Sequence, residues 1–238
     1  MNLLMPVREP DLRLPDHVRR LREGEHFSFA CHPGVPCFTE CCRQLELALS
    51  PYDVLRLARE LGMSGRRFLE RYAVVESAED AIFPQVYLGM VDDGRASCPF
   101  ISAQGCRVYP NRPAACRTYP LGRGAWRDDS GTDHVFFVLL TEPHCRGFAE
   151  PTDLTLDRWI AGQGLADYYA ANDILIPLLQ HERIRQGFRP GPEQRDLYLA
   201  TLYNLEEWGR SSDIDMDGMT DLEILRSAVS RLIGCLFP

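Results

Sequence analysis

Nine cysteines stand in this chain of 238 residues, and eight of them fall between positions 31 and 145: Cys31, Cys37, Cys41, Cys42, Cys98, Cys106, Cys116 and Cys145. Four belong to the stretch CHPGVPCFTECC, whose last two are adjacent. Thiols at this density either pair as disulfides or ligate a soft metal as thiolates. The opening MNLLMPVREPDLRLPDHVRRL lacks a continuous apolar run, so no secretory leader is expected and the protein is placed in the reducing cytoplasm. There, metal ligation outweighs disulfide formation. Eight thiolates are enough for two four-thiolate sites, or for one site with further thiols around it. By softness and geometry they suit zinc and an iron–sulfur cluster (4Fe-4S) alike.

Adjacent side chains point to opposite faces of a strand and stand about 100° apart on a helix. Cys41 and Cys42 are therefore not expected to share one tetrahedral ion; they would serve different ions, bridge a polynuclear centre, or divide into ligand and non-ligand, with a disulfide between them as the minor alternative. His32 and His144 each flank a cysteine and are expected around the centre rather than on it. Cys235 is expected to be buried in the last helix as an inert small hydrophobe.

Four of the eight cysteines are followed directly by arginine, at Arg43, Arg107, Arg117 and Arg146, whereas 26 basic residues in 238 would supply fewer than one by chance. All the basic residues are arginine, which leaves no lysine for Schiff-base chemistry. A tetrathiolate centre is anionic and costly to bury alone. Arg43, Arg107, Arg112 and Arg117, with Arg123 as a further candidate, are expected to surround it and offset that charge. An arginine pocket for an anionic substrate is the alternative. The net charge of -8 and pI near 5.3 argue against nucleic acid as a partner, and no apolar run is long enough for a membrane span. An unidentified protein or small molecule is left as the partner.

The elements that must hold these residues can be read locally. In SPYDVLRLARELGMS, Ser50 caps a helix that Pro51 starts and Gly62 ends; Ser64 opens a second, SGRRFLERY. CCRQLELAL, FPQVYLGMV and DHVFFVLLT read as strands, DDG as a turn, and the Pro-, Gly- and Cys-rich stretch from Ala96 to Gly124 as irregular backbone. From about Asp153 the texture becomes amphipathic helix: TLDRWIAGQGLADYYAAN, DILIPLLQHERIRQG, PEQRDLYLATLYNLEEWGR and TDLEILRSAVSRLIGCLF. The expected fold is α+β and helix-rich. An irregular cysteine-stapled metal-binding domain over 1–150 would carry a helical extension over 151–238. The aromatics Trp159, Tyr168, Tyr169, Tyr198, Tyr203 and Trp208 are expected to pack helices rather than line a pocket.

The pattern CFTECCRQLELALSPYDVLRLARELGMS followed by CPFISAQGCRVYPNRPAACRTYPLG resembles the YkgJ-type cysteine-cluster family of zinc- or iron-chelating domains, over about residues 27 to 150. By that resemblance Cys37, Cys41, Cys42, Cys98, Cys106 and Cys116 match the family's ligand cysteines, and Cys145 matches a later one. The spacing Cys-x5-Cys-x3-Cys-Cys departs from the compact Cys-x2-Cys-x2-Cys-Cys of many members. The resemblance implies a structural or redox centre in a maturation or binding factor. Relatives that resemble flagellin lysine methylases imply the alternative, a modifying enzyme using the centre and an arginine-lined pocket.

Other motifs carry less. DIDMDGMTDLEIL starts like a calcium loop from Asp213, but Ile224 stands where the bidentate Glu belongs, and Thr220 with Glu223 reads better as a capping box. Asp92–Asp93 and Asp128–Asp129 read as solvated loop charges. No phosphate loop, G-x-S-x-G elbow or H-E-x-x-H motif is present.

Overall fold

A computed structural model describes residues 14–78, 81–128, 130–212, 215 and 217–238. The leader reading over 1–13, the Asp129 member of one aspartate pair and the start of the calcium-loop reading at Asp213 lie outside the described residues. In chain order the elements begin with β1 (Val18–Arg20), β2 (His26–Phe27), α1 (Pro51–Glu60), α2 (Gly65–Tyr72), β3 (Ala73–Glu76) and β4 (Gln85–Leu88). Then come β5 (Ile101–Ser102), β6 (Gly105–Cys106), α3 (Ala114–Thr118), β7 (Leu121–Arg127), β8 (Asp133–Leu140) and β9 (Leu154–Thr155). The helices α4 (Leu156–Gln163), α5 (Ala166–Leu179), α6 (Glu182–Arg185), α7 (Pro192–Leu202), α8 (Leu205–Ser211) and α9 (Asp221–Leu236) follow. The fold is mixed α+β and helix-rich, and among the described residues no helix is long and apolar enough to cross a membrane.

Two compact units form, each from two stretches of chain: residues 1–47 with 89–166, and 48–88 with 167–238. The sequence reading divides the chain once, near residue 150; the contacts group α1, α2 and the β3–β4 hairpin with the C-terminal helices.

The first unit, which carries the eight clustered cysteines, is built on an antiparallel sheet of order β1-β8-β7, with small pairs β2–β9 and β5–β6. β7 and β8 are joined in register from Leu121 opposite Leu139 to Arg127 opposite Asp133. Gly124 permits this hairpin to close, because a Cβ there would lie 2.2 Å from the Phe136 ring. Phe27, Phe29, Leu121 and Leu139 form the core beside the sheet, with Tyr119, Cys145, Phe148 and Trp159 packed against it. Phe29 meets the rings of Tyr119, Phe148 and Trp159 edge-on at 5.2 to 5.6 Å.

The second unit is mostly helix. Ser50 and Asp53 form a reciprocal capping box at the start of α1, Ser64 caps α2, and Thr220 with Glu223 boxes the start of α9, as the capping reading of that segment expects. Leu57, Phe68, Ile176, Leu202, Leu225 and Leu232 are fully buried. The Tyr203 hydroxyl donates to the Leu49 carbonyl at 3.1 Å, and Tyr198 stacks on Phe83 at 4.5 Å. The helical aromatics thus serve packing.

Three local expectations are corrected. CCRQLELAL is not a strand: Arg43 and Ala48 make isolated bridges, and Gln44 at φ 54 interrupts any ladder. The helix expected over TLDRWIAGQGLADYYAAN is broken at Gly164, which adopts φ 60 as the cap of α4. Cys235 is exposed rather than buried, because the inward stripe of α9 runs through Leu225, Val229, Leu232 and Leu236 and leaves position 235 to one side.

Candidate metal centre

Most of the clustered cysteines stand on turns or short bridging segments that other parts of the first unit pin down. Cys31 follows Ala30, whose N–H donates to the Gly147 carbonyl at 3.0 Å, so the segments of Cys31 and Cys145 run side by side. Gly147 makes this approach possible; a Cβ there would sit 2.6 Å from the Ala30 carbonyl oxygen. Cys37 lies in successive tight turns, and its sulfur accepts the Arg146 N–H at 3.1 Å. Cys41 and Cys42 occupy a three-residue 3-10 helix, Glu40–Cys42, entered through Thr39 in the left-handed region. Cys98 donates its N–H to the Cys42 carbonyl at 2.8 Å, which joins the two halves of the cysteine pattern through the backbone. Cys106 lies in β6, and Cys116 is exposed on α3. All nine cysteines are free thiols.

The thiols act on one another. Burial first, then the thiols of Cys41, Cys37 and Cys145, push Cys31 up to about 11, although the residue as a whole is exposed; Arg112 pulls the other way. Cys41 is raised far more, chiefly by a hydrogen bond with the Cys42 thiol and then by burial. A hydrogen bond between the Cys41 and Cys42 thiols fits a single 3-10 turn, in which rotation about each Cα–Cβ bond can bring the two side chains within reach. Cys98 is raised by burial and, less, by Cys106. Burial also raises Cys106, against Arg112 and Arg107. Cys145 is raised by burial and Cys37, while Tyr119 lowers it.

The arginines divide by task. Arg112 is buried, stacks over the Tyr109 ring at 3.8 Å and feels the charges of both Cys106 and Cys116. Arg117, also buried, donates to the carbonyls of Arg112 at 3.0 Å and Gln163 at 2.7 Å and to that of Pro110, fixing the loop that carries Arg112. Arg43 donates to the Thr39 carbonyl at 2.6 Å and so braces the turn of Cys41 and Cys42. Arg107 donates to the Pro99 carbonyl beside Cys98. His32 accepts the Gly34 N–H at Nδ1 and meets Glu150 at Nε2, 3.0 Å away, so both of its ring nitrogens are engaged. His144 lies 3.6 Å from Glu142. Asp93 is more than a solvated charge: it accepts the N–H groups of Arg95 and Ser97 and shapes the approach to Cys98.

Among the described residues no three His, Cys, Asp or Glu side chains are arranged to close on an ion as they stand. The donor chemistry nonetheless fits one. Desolvated thiols that repel one another's charge are kept protonated, and a cation at their centre would reverse that preference. Two buried polar atoms of this unit, Arg43 Nε and the Tyr119 hydroxyl, also make no hydrogen bond of good geometry, and a sulfur-rich centre would offer acceptors to such donors. Tyr119 and Glu142 are contributors the sequence reading did not single out. Their signal was available in the family-like segment CRTYPL and in the position of Glu142 three residues before Cys145, but nothing local says that either faces a thiol.

No curated protein and no solved structure matches the chain. Residues 30–145, which run from the approach to Cys31 through Cys145, match the CxxCxxCC family, described as a putative zinc- or iron-chelating domain. That span carries the cysteine-cluster domain which the sequence pattern resembles.

Proposed function

We propose that residues 30–145 hold a thiolate-ligated iron–sulfur centre, in preference to zinc, within a cytoplasmic maturation or binding factor that acts on a protein or small-molecule partner. Cys31, Cys37, Cys41, Cys42, Cys98, Cys106, Cys116 and Cys145 would hold it. When bound, such a centre staples these segments together and can accept or pass an electron.

The observation that carries this reading is the joining of distant cysteine segments, by the Cys98 N–H on the Cys42 carbonyl, the Ala30 N–H on the Gly147 carbonyl and the Arg146 N–H on the Cys37 sulfur, in a unit that also buries the donors Arg43 Nε and the Tyr119 hydroxyl. A cluster brings bridging sulfides as well as thiolates, and so offers more acceptors to buried donors than a lone zinc ion does. The closeness of Cys41 and Cys42 also suits a polynuclear centre. Arg112, reaching Cys31, Cys106 and Cys116 electrostatically, supplies counter-charge rather than an open anion pocket, since its own donors go to Tyr109 and Gln163.

Anaerobic purification followed by iron, acid-labile sulfide and zinc analysis and a visible spectrum tests this directly. Iron with sulfide and a broad sulfur-to-iron absorption is expected. Colourless, zinc-loaded protein overturns the choice of cluster; protein that neither retains nor takes up metal overturns the centre.

A further inference from the structure

A cleft of about 470 Å³ opens in the helical unit between α7 and the open end of the β3–β4 hairpin. Glu76 pairs with Gln85, so Ser77 and Pro84 leave the ladder side by side and form one wall. Pro192, Arg195, Asp196 and Leu199 recur three and four apart on α7, which gives them one helix face, and with Pro190 they form the other wall. Phe83 stacks on Tyr198 at 4.5 Å, and this contact fixes the hairpin end against the helix. Prolines have a fixed φ and carry no N–H, so these walls are stiff and poor in backbone donors. The charges of the cleft come from two successive residues. Side chains at successive helix positions do not face each other, and among the described residues Arg195 and Asp196 form an ion pair neither with each other nor with another group. Arg195 Nη2 lies 3.5 Å from the Ala81 carbonyl oxygen, while its Nε is buried and makes no hydrogen bond of good geometry. A guanidinium partly removed from water calls for an acceptor.

We propose that this cleft binds a small zwitterion of the α-amino acid class, with its carboxylate on the Arg195 guanidinium, its ammonium on the Asp196 carboxylate and its apolar body against Pro84, Pro190, Pro192 and Leu199. Opposite charges that do not neutralise each other match a ligand that carries both. A phosphate or dicarboxylate would set its surplus negative charge against Asp196. A purely apolar ligand would leave the guanidinium unanswered. The volume suits one small molecule, and stiff proline walls lower the cost of ordering the protein around it. The site lies wholly in the helical unit and uses no cysteine, so it stands apart from the metal centre.

Titrating the full chain with L-leucine, read by the NMR signals of the Arg195 Nε–H and the Leu199 methyl groups, tests this. The two sets of resonances should move together and saturate at about millimolar ligand. Isoamylamine, which lacks the carboxylate, should bind about 10-fold or more weakly. Isocaproate, which lacks the ammonium, should lose only about 2- to 5-fold, because Asp196 is exposed. Asp196→Asn should impose that same modest loss on L-leucine and none on isocaproate. No movement with L-leucine overturns the proposal. Equal binding of all three compounds does so too, since the cleft would then be an apolar surface only. Tighter binding of isocaproate than of L-leucine would reduce it to a carboxylate site, which also refutes the zwitterion. Glu79 and Asp80 lie outside the described residues. If Glu79→Gln with Asp80→Asn moves the ligand-free Arg195 Nε–H signal as far as L-leucine does, the guanidinium belongs to the chain's own carboxylates and the proposal falls.

Discussion

Set beside each other, the two units of this chain are held by different means. Among the described residues the largest fully buried side chains, Phe68, Leu57, Ile176, Leu225 and Leu232 among them, belong to the helical unit; Leu165 is the one of this kind in the cysteine unit. The cysteine unit has a core cluster of four buried residues, Phe27, Phe29, Leu121 and Leu139, and most of its cysteine-bearing segments are turns and short bridges. One unit buries many large apolar side chains in its interior. The other draws its cysteine-bearing loops together by backbone hydrogen bonds, which a bound metal would staple further.

Withdrawing metal should separate the units most strongly. Structural thiolate sites contribute about 10–16 kcal/mol in small domains, so chelation should cost residues 30–47 and 89–145 their amide-exchange protection by orders of magnitude. Protection in α1, α2 and α9 should stay as it was; equal loss in both units would break the comparison. Cys235→Ser should leave metal content and exchange unchanged, since that thiol is exposed on α9 and lies in the other unit.

The converse disturbance is smaller. Phe68→Ala empties a fully buried site and should cost the helical unit about 3–5 kcal/mol in chemical denaturation, while metal analysis of the variant returns the wild-type stoichiometry. Ser50→Ala, which removes the cap that accepts the Asp53 N–H, should cost about 1 kcal/mol in the same measurement.

The smallest effect concerns the tip of the β7–β8 hairpin. There the Asp128 carboxyl is held well below the usual carboxylate range, chiefly by its hydrogen bond with His134 at 2.7 Å, then by Ser130 and Thr132. A lowered carboxyl contributes stability above its unfolded pKa, about 3.9, and loses it as pH falls through the folded value. The Asp128 side-chain carboxyl resonance should therefore show no deprotonation step from neutral pH to about 4 and titrate only below it. Asp128→Asn should remove that dependence. Movement beginning well above pH 4 would refute the assignment.

Much of this was legible locally. Ser50, Pro51, Ser64, Thr220 and Glu223 announce helix starts because capping chemistry acts over three residues. The cysteines, their arginine neighbours and the family pattern are likewise matters of residue type and spacing. What stayed hidden depends on distant partners. LGRGAWR, with two glycines, gives little hint of a strand until β8 pairs with it. Cys41 and Cys42 lie in a 3-10 turn where alternation suggested a strand. Tyr119 and Cys145 pack against the same core only because the hairpin between them folds back.

The interleaving of the two units has a consequence during synthesis. Residues 48–88 leave the ribosome well before 167–238, the stretch with which they pack. At about 5–20 residues per second, Leu57, Phe68 and Val86 wait several seconds for their partners with apolar surface uncovered. Meanwhile all of 89–166 has emerged, so the cysteine-bearing part can close on its cargo while the nascent chain is still tethered.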